Sequence, residues 1–371
     1  MQHSPVRVLE VLTVRYAHNG VTQCVANYME EFDPARIRCD LAVPNEPPEA
    51  VVRRIEQSGG RVFVLPYRNR NPLGYVHALS KIVRGRGEQV VHAHGNSATL
   101  YTEMLASRQG GARVRIAHSH NTSCRMQLAD RLLRPAFRGS YTHAMACGED
   151  AGEWLFGDAP FTVLPNAVRA ERFRFDAGKR DAARERFEIG KDAFVVCHIG
   201  SFSVQKNQAF LLDVFAALHK SRPDAALLLV GDGPLRAACE EKARALGLGG
   251  NVRFAGTAGD VTPYLCCADA FALPSRYEGL PLTLVEAQCA GLPCAVSDRV
   301  TREAALTPLV SFWPIERAEA FAGGLAGAAV SDRARLSGEA IERVRRAGYD
   351  IAANAETLAA LYESLVREAQ A

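Results

Sequence analysis

Long hydrophobic runs are missing from this sequence: no segment approaches the roughly 18 apolar residues that a membrane-spanning helix requires. The start, Met1-Gln2-His3-Ser4-Pro5, leads straight into a strand pattern with no apolar stretch of the secretory kind before it, so a cytoplasmic chain is expected. Cys-x-x-Cys pairs are missing as well, which excludes the common zinc-ribbon and thioredoxin spacings. Of the ten cysteines, Cys147, Cys197 and Cys294 lie in apolar runs, where a thiol behaves as a small hydrophobe. Reduced core thiols are therefore expected. Strong charge of one sign is also lacking. The net charge of +3 gives no reason to expect nucleic acid as a partner. It is uneven, however: residues 1–165 carry 19 Lys/Arg against 15 Asp/Glu (+4), leaving −1 for the remainder. Finally, no Gly-x-Gly-x-x-Gly follows the first strand pattern, which weighs against a dinucleotide-dependent enzyme.

What the chain does have is a repeated alternation. Short β-branched runs (6–14, 90–94 and 114–120 in the first half; 194–199, 226–230 and 270–273 in the second) are separated by longer amphipathic stretches such as 21–32, 209–220, 234–246 and 282–290. Apolarity within the runs is continuous rather than alternating, as expected of parallel strands covered by helices on both faces. The pattern occurs twice, and 371 residues suit two such domains. Between the two series, residues 166–192 are rich in Arg and Asp and read as a linker plus one helix at about 178–187. The last segment, 349–368, places Ile351, Leu358, Leu361, Tyr362 and Leu365 on one helical face. With no strand after it, this helix must bury that face on a domain already built, and the first domain is the expected target.

The densest chemistry lies in residues 270–298, AFALPSRYEGLPLTLVEAQCAGLPCAVSD. A buried strand ends at Pro274, a loop carries Glu278-Gly279-Leu280-Pro281, and a helix runs to Gly291. Pro281 suits the first helical turn because it has no N–H to leave unpaired. The amides of Leu282 and Thr283 then form an anion site of the kind that binds phosphate. Glu278 would repel that phosphate unless it points elsewhere, for instance to sugar hydroxyls. Glu286, eight positions on, can accept two hydrogen bonds from a ribose diol.

Two glutamates with seven residues between them, in E-G-L-P-x-x-x-x-E form, resemble the donor-binding motif of retaining glycosyltransferases of family 4, in particular the bacterial enzymes of exopolysaccharide, capsule and lipopolysaccharide assembly. The flanking A-L-P-S and A-G-L-P-C-A-V-S-D also match. The resemblance implies a GT-B fold, with two facing Rossmann-like α/β domains and a C-terminal helix packing back on the first. The expected boundaries are 1–170 for the acceptor domain, 171–348 for the nucleotide-sugar domain and 349–371 for the returning helix. It also implies hexosyl transfer from a nucleotide-diphosphate sugar, UDP-linked by family habit. The acceptor would be a hydroxyl of a glycan or lipid-diphosphate-linked partner. No cofactor and no metal are expected.

Gly200-Ser201 through Lys206-Asn207 resembles the family element G-R-x-x-x-x-K-G/N, in which Arg and Lys neutralise the leaving diphosphate; here Ser201 stands at the Arg position. Gly231-Asp232-Gly233-Pro234-Leu235 matches a turn of mainly structural role, and Thr257 follows the strand expected beneath the nucleotide base. In the first domain the family commonly has Gly-Gly after the first strand. This chain has Asn19-Gly20, and Asn tolerates positive φ better than most residues.

Eight of ten histidines precede residue 171, four of them as the pairs His92/His94 and His118/His120. Period two sends each pair to one face of its strand end. They invite a metal site, but no Cys or carboxylate in the sequence pattern completes a recognisable set. The resemblance assigns His120 to the transferred sugar, with His118 and His94 as supporting or structural histidines. Arg131, Arg134 and Arg138 share a helical face after Arg125; a solvated face is the default reading, and contact with anionic lipid headgroups or a lipid-diphosphate acceptor the alternative. Residues 67–71, YRNRN, form a second candidate acceptor loop. By this reading Lys206 and the Leu282/Thr283 amides stabilise the diphosphate, Glu278 with the Gly279/Leu280 amides orients the sugar, and Glu286 holds the ribose. The alternatives are a nucleotide-sugar epimerase or hydrolase of the same fold, or a catalytically weakened binding subunit.

Overall fold

The structure, a computed structural model, describes residues 4–17, 20–124, 126–278, 280–328 and 332–370. Contacts divide it into two units, one comprising residues up to Ala167 together with those from Ile351, the other Val168–Asp350.

The first unit holds seven strands: β1 (Val6–Leu12), β2 (Ile37–Val43), β3 (Val62–Val64), β4 (Val90–Gly95), β5 (Val114–Ser119), β6 (His143–Ala146) and β7 (Thr162–Val163). They pair in parallel in the order β3-β2-β1-β4-β5-β6-β7. Helices cover both faces, so the central strands β1, β4 and β5 are almost wholly buried and neighbouring residues serve different cores, while the edge strands β3 and β7 stay partly exposed. On one face Val8, Val90, Val114 and Ile116 pack with Cys24 and Tyr28 of the helix Gly20–Glu31 and with the C-terminal helix. On the other, Leu9, Val91, Ala93 and Ala117 pack with Tyr75, Leu79, Val83 and Met104.

The C-terminal helix runs from Ile351 to Gln370. Its buried residues Ile351, Leu358, Tyr362 and Leu365 join the first of these cores, with Leu361 partly buried beside them. Arg36 ties the outer side of this helix through Glu356 and Glu363, at 2.8 and 2.9 Å.

The second unit holds six strands: β8 (Val195–Ile199), β9 (Ala226–Val230), β10 (Val252–Gly256), β11 (Ala270–Leu273), β12 (Cys294–Ser297) and β13 (Val310–Trp313). Their order is β10-β9-β8-β11-β12-β13, again all parallel. The charged linker region contains the helix Ala177–Arg186, capped by the Asp176 side chain accepting from the Lys179 amide. Arg184 of that helix is buried against the carbonyls of Cys267 and Ala193 and the carboxylate of Asp269, which anchors the charged segment to the sheet.

One boundary differs by a residue. The helix after the glutamate loop begins at Leu282, and Pro281 precedes it in an extended conformation (ψ 105°). The Pro281 carbonyl accepts from the Leu284 and Val285 amides, so the proline caps the first turn instead of lying in it. No helix among the described residues is long and apolar enough to cross a membrane.

Candidate functional site

Open parallel sheets bind ligands outside the carboxyl ends of their strands, where strand order reverses. In the second unit that point lies between β8 and β11, and the segments leaving these two strands carry most of the candidate residues. Three hydrogen bonds stitch the segments together. The Gln205 side-chain amide donates to the Tyr277 carbonyl (3.1 Å), the Arg276 amide to the Gln205 carbonyl (2.8 Å) and Asn207 Nδ2 to the Pro274 carbonyl (3.2 Å). Asn207 adopts the left-handed conformation (φ 58°) that starts the helix Gln208–Ser221. Two glycines keep the backbone close-packed here. A Cβ on Gly231 (φ +134°) would lie 2.1 Å from the Gly200 carbonyl oxygen, and one on Gly200 would press at 3.2 Å on the methylenes of Lys206.

This scaffold brings Lys206 and Glu278 together. Lys206 Nζ lies 2.6 Å from Glu278 Oε1, with side-chain exposures of 17% and 9%, and Gln205 Nε2 donates to Glu278 Oε2 at 3.3 Å. The Glu278 carboxylate is thus turned onto the lysine. Ser201 is exposed, and its carbonyl accepts from Gln208 Nε2 at 2.9 Å, so the position of the family's arginine presents only a hydroxyl. Thr257, just after β10, is exposed. Leu280 and Leu282 pack partly buried on the core, while Gly279 lies outside the described residues. The hydroxyls of Thr283 and Ser275 are buried without a hydrogen-bond partner among the described residues. Ser275 was not singled out from sequence; the available signal was its place directly after the proline that ends β11.

Glu286 lies one turn into the helix Leu282–Cys289. Burial, reinforced by the nearby Asp260 carboxylate and opposed by Arg172, pushes its carboxyl up to about 8. Arg172 and Asp260 form their own ion pair at 3.4 Å. Arranged in this way, the second unit offers a lysine, a helix start with the amides of Leu282 and Thr283, orphaned hydroxyls and a carboxyl held mostly protonated at neutral pH.

In the first unit strand order reverses between β1 and β4. Gly20, exposed, opens the helix that follows β1; His18, Asn19 and Arg125 lie outside the described residues. His120 follows β5 and is half-buried. It ends a chain of side chains that sequence alone did not reveal. His120 Nε2 is 2.8 Å from His94 Nδ1, His94 Nε2 is 2.7 Å from Glu10 Oε2, and the Tyr362 hydroxyl donates to Glu10 Oε1 at 3.1 Å. A second branch leaves the same tyrosine: His92 Nδ1 is 2.6 Å from its oxygen, and His92 Nε2 is 3.0 Å from His118 Nδ1. Burial lowers all four imidazoles, His92 and His94 to about 3, so each is neutral at physiological pH. Burial also raises Glu10. The expectation that no carboxylate accompanies the histidines is therefore corrected. Glu10, on neighbouring β1, is brought to them by the parallel register that sets Glu10 beside His92 and His94 beside His118. Nitrogens of His92, His94 and His118 lie within 4.8 Å of one another, and the hydrogen bonds above engage all three rings.

The basic stretches also resolve into different roles. Arg134 belongs to the scaffold: it bonds Asp130 Oδ2 (2.8 Å) and the Trp154 carbonyl (3.1 Å), leaving Arg131 and Arg138 exposed on the helix Gln127–Arg138. In the 67–71 loop, Arg68 is bound to the buried Glu103 at 2.8 Å, and Asn71 caps the helix Pro72–Arg86. Neither is free to greet an acceptor; Tyr67 and Arg70 remain exposed.

Solved structures share this architecture. HepE from Anabaena, crystallised with UDP and glucose, superposes with a TM-score of 0.78 over 97% of this chain and 100% of that one, at 17% identity. WaaG, a glycosyltransferase involved in lipopolysaccharide biosynthesis, gives 0.69 over 96% and 99%, at 16% identity. The fold is GT-B, built from two Rossmann-like domains. At the sequence level, a description of the group 1 glycosyl transferases matches residues 179–327. The chain is 34% identical to the putative glycosyltransferase EpsF of Bacillus subtilis over 378 residues, covering 98% of this chain and 97% of that one. It is 26% identical over 257 residues to the UDP-Gal:alpha-D-GlcNAc-diphosphoundecaprenol alpha-1,3-galactosyltransferase of Escherichia coli, covering 64% and 66%. The chain belongs to the group 1 glycosyl transferases and is a glycosyltransferase of the GT-B type.

Proposed function

We propose that this glycosyltransferase moves a hexose from a UDP-sugar, with retention of configuration and without a metal, to a hydroxyl of a lipid-diphosphate-linked or glycan acceptor in polysaccharide assembly at the cytoplasmic face of the membrane. The observation that carries the proposal is the stitched loop pair of the second unit, where Lys206, Glu278 and the helix start at Leu282 converge at the reversal of strand order. A breaking glycosyl–phosphate bond leaves negative charge on the diphosphate, and preorganised donors aimed at that charge supply the largest share of such catalysis. Lys206 and the amides of Leu282 and Thr283 fill this role; Glu278, released from the lysine, takes sugar hydroxyls, and Glu286 takes the ribose diol. His120 is assigned to the transferred sugar. The UDP preference draws support from the Escherichia coli galactosyltransferase and from HepE, and the setting from that galactosyltransferase and the lipopolysaccharide core mannosyltransferase LpsB of Rhizobium meliloti.

The test begins with thermal shifts on UDP, GDP and their sugars, since a ligand of the native state raises the melting temperature. Transfer to a polyprenyl-diphosphate sugar is then followed, with and without chelator, and the anomeric configuration of the product is assigned by NMR. Lys206→Ala is expected to lower turnover at least tenfold with donor affinity less affected, and Glu286→Ala chiefly to weaken donor binding. Full activity in both variants refutes the site. Donor consumption with no acceptor present would identify an epimerase or hydrolase, tighter binding of GDP would overturn the UDP assignment, and nucleotide binding without turnover would indicate a weakened binding subunit.

A further inference from the structure

We propose that Glu10 is a positioning residue for His120: acting through His94, its carboxyl decides which ring nitrogen of His120 carries the proton. The inference extends the assignment of His120 above and rests on it for its functional meaning, but not for its structural content.

The argument is a proton count. Five hydrogen bonds join Glu10, Tyr362 and the four imidazoles, and each needs one proton. With all four rings neutral and Glu10 ionised, the tyrosine and the rings supply five. Every direction is then fixed. Tyr362 donates to Glu10 Oε1, His92 Nδ1–H to the tyrosine oxygen and His118 Nδ1–H to His92 Nε2. His94 Nε2–H donates to Glu10 Oε2, and His120 Nε2–H to His94 Nδ1. The two atoms left over, His118 Nε2 and His120 Nδ1, are those found buried without a hydrogen-bond partner among the described residues. As lone pairs they cost less than stranded N–H groups would.

Adding one proton gives a second consistent arrangement, and it differs only along one branch. The proton enters at His120 Nδ1, the Nε2 proton of His120 passes to His94 Nδ1, and the Nε2 proton of His94 passes to Glu10 Oε2. The carboxylate is neutralised, both rings stay neutral, and each has exchanged one N–H for the other. The new Nδ1–H of His120 has a neighbour to receive it: Asn166, whose buried Oδ1 has no other hydrogen-bond partner among the described residues. The His92–His118 branch ends on His118 Nε2, which is buried without a hydrogen-bond partner among the described residues; the Asn166 side chain acts on His120, so the extra proton belongs on the His120 side.

The surroundings favour taking that proton up. The ionic contacts of Glu10 are to the imidazoles of His92 and His94 alone among the described residues. Among the described residues, the titratable groups facing the network from other elements are Cys39 of β2 and Cys24 and Tyr28 of the helix after β1. All three are raised by burial and stay neutral. A carboxyl among neutral groups prefers its protonated form. Glu10 therefore changes charge above the ordinary carboxylate range, and the proton it binds is read out two side chains away, at the end of β5.

The experiment uses the full chain with 15N-histidine labelling, without donor or acceptor, and long-range proton–nitrogen spectra across a pH titration. In the wild type, His94 and His120 are expected to exchange Nδ1–H for Nε2–H together as pH rises, neither ring passing through imidazolium. In Glu10→Gln the amide always donates to His94, and both rings stay in the Nδ1–H form at every pH. Tyr362→Phe leaves the Glu10–His94 bond in place and retains the coupled exchange. Rings that titrate independently, rings of Glu10→Gln that behave as in the wild type, or a transition metal bound stoichiometrically by the imidazoles would each overturn the proposal. Because the readout involves no substrate, it separates a wrong account of Glu10 from a wrong account of His120 in transfer.

Discussion

Lys206 and Glu278 are paired at 2.6 Å, so a ligand of either must share or displace that contact. Glu286 is in the opposite condition: Arg172 only partly offsets the effect of burial, and its carboxyl rises to about 8. At pH 7 it is protonated by roughly ten to one. Ribose hydroxyls donating to Glu286 favour the ionised form, so UDP binding should expel close to one proton at pH 7. Affinity should climb roughly tenfold per pH unit up to about pH 8 and flatten above it. Calorimetry in buffers of different ionisation enthalpy checks the proton count, and Glu286→Gln should remove both effects. The sign for the unliganded chain is the reverse. A raised folded-state value means that the contribution of Glu286 to stability is full below the ordinary carboxylate range and is lost as pH rises towards 8. A UDP affinity independent of pH between 6.5 and 8 would remove Glu286 from the ribose site.

The C-terminal helix shows how an element far away in sequence completes a sheet. Leu358 and Tyr362 are 2% and 0% exposed, and both face the core that contains Val8, Val90 and Ile116. Leu358→Ala is expected to cost about 2–5 kcal/mol, the range for emptying a buried leucine site. Urea titration of the full chain would measure it, and a loss below about 0.5 kcal/mol would mean that the helix is not held as described. The same helix marks the boundary of what sequence could tell. Its apolar face was legible because 3.6-residue periodicity is local, and the buried strands were legible because continuous apolar runs are local too. The E-G-L-P-x-x-x-x-E loop was legible as a motif. What stayed hidden were pairings made by the fold: Tyr362 with Glu10 across 352 positions, His94 with Glu10 across 84, and Lys206 with Glu278 across 72. A helical face predicts that Tyr362 is buried, yet says nothing of the carboxyl that receives its proton. Arg68 misled for the same reason, since the Glu103 carboxylate that absorbs it lies 35 residues away; Arg134 is shared between the Trp154 carbonyl, 20 residues away, and Asp130, one helical turn before it.

For the molecule as a whole, the positive excess lies before residue 166, and the exposed apolar surface of the helix Gln127–Arg138 lies there too. Leu128 and Leu132 are each 71% exposed, four residues apart, with Arg131 and Arg138 exposed on the same helix; Phe137 is buried and Leu133 partly buried in the core. Leucines turned outward between arginines match an anionic bilayer surface, where apolar side chains enter the headgroup boundary and each basic residue adds about 1 kcal/mol. A lipid-linked acceptor would make such contact useful, because it confines the enzyme to the surface that carries its substrate. Sedimentation with vesicles containing anionic phospholipid should therefore recover the chain, and neutral vesicles much less of it. Leu128→Ser with Leu132→Ser should lower the bound fraction at any salt concentration. Arg131→Gln should lower it about fivefold at low salt and much less at high salt, because screening removes the same attraction. Neither position belongs to the donor site, so transfer to a water-soluble acceptor should continue at the wild-type rate in both variants. Equal recovery on neutral and anionic vesicles would show that this helix faces something other than a charged membrane.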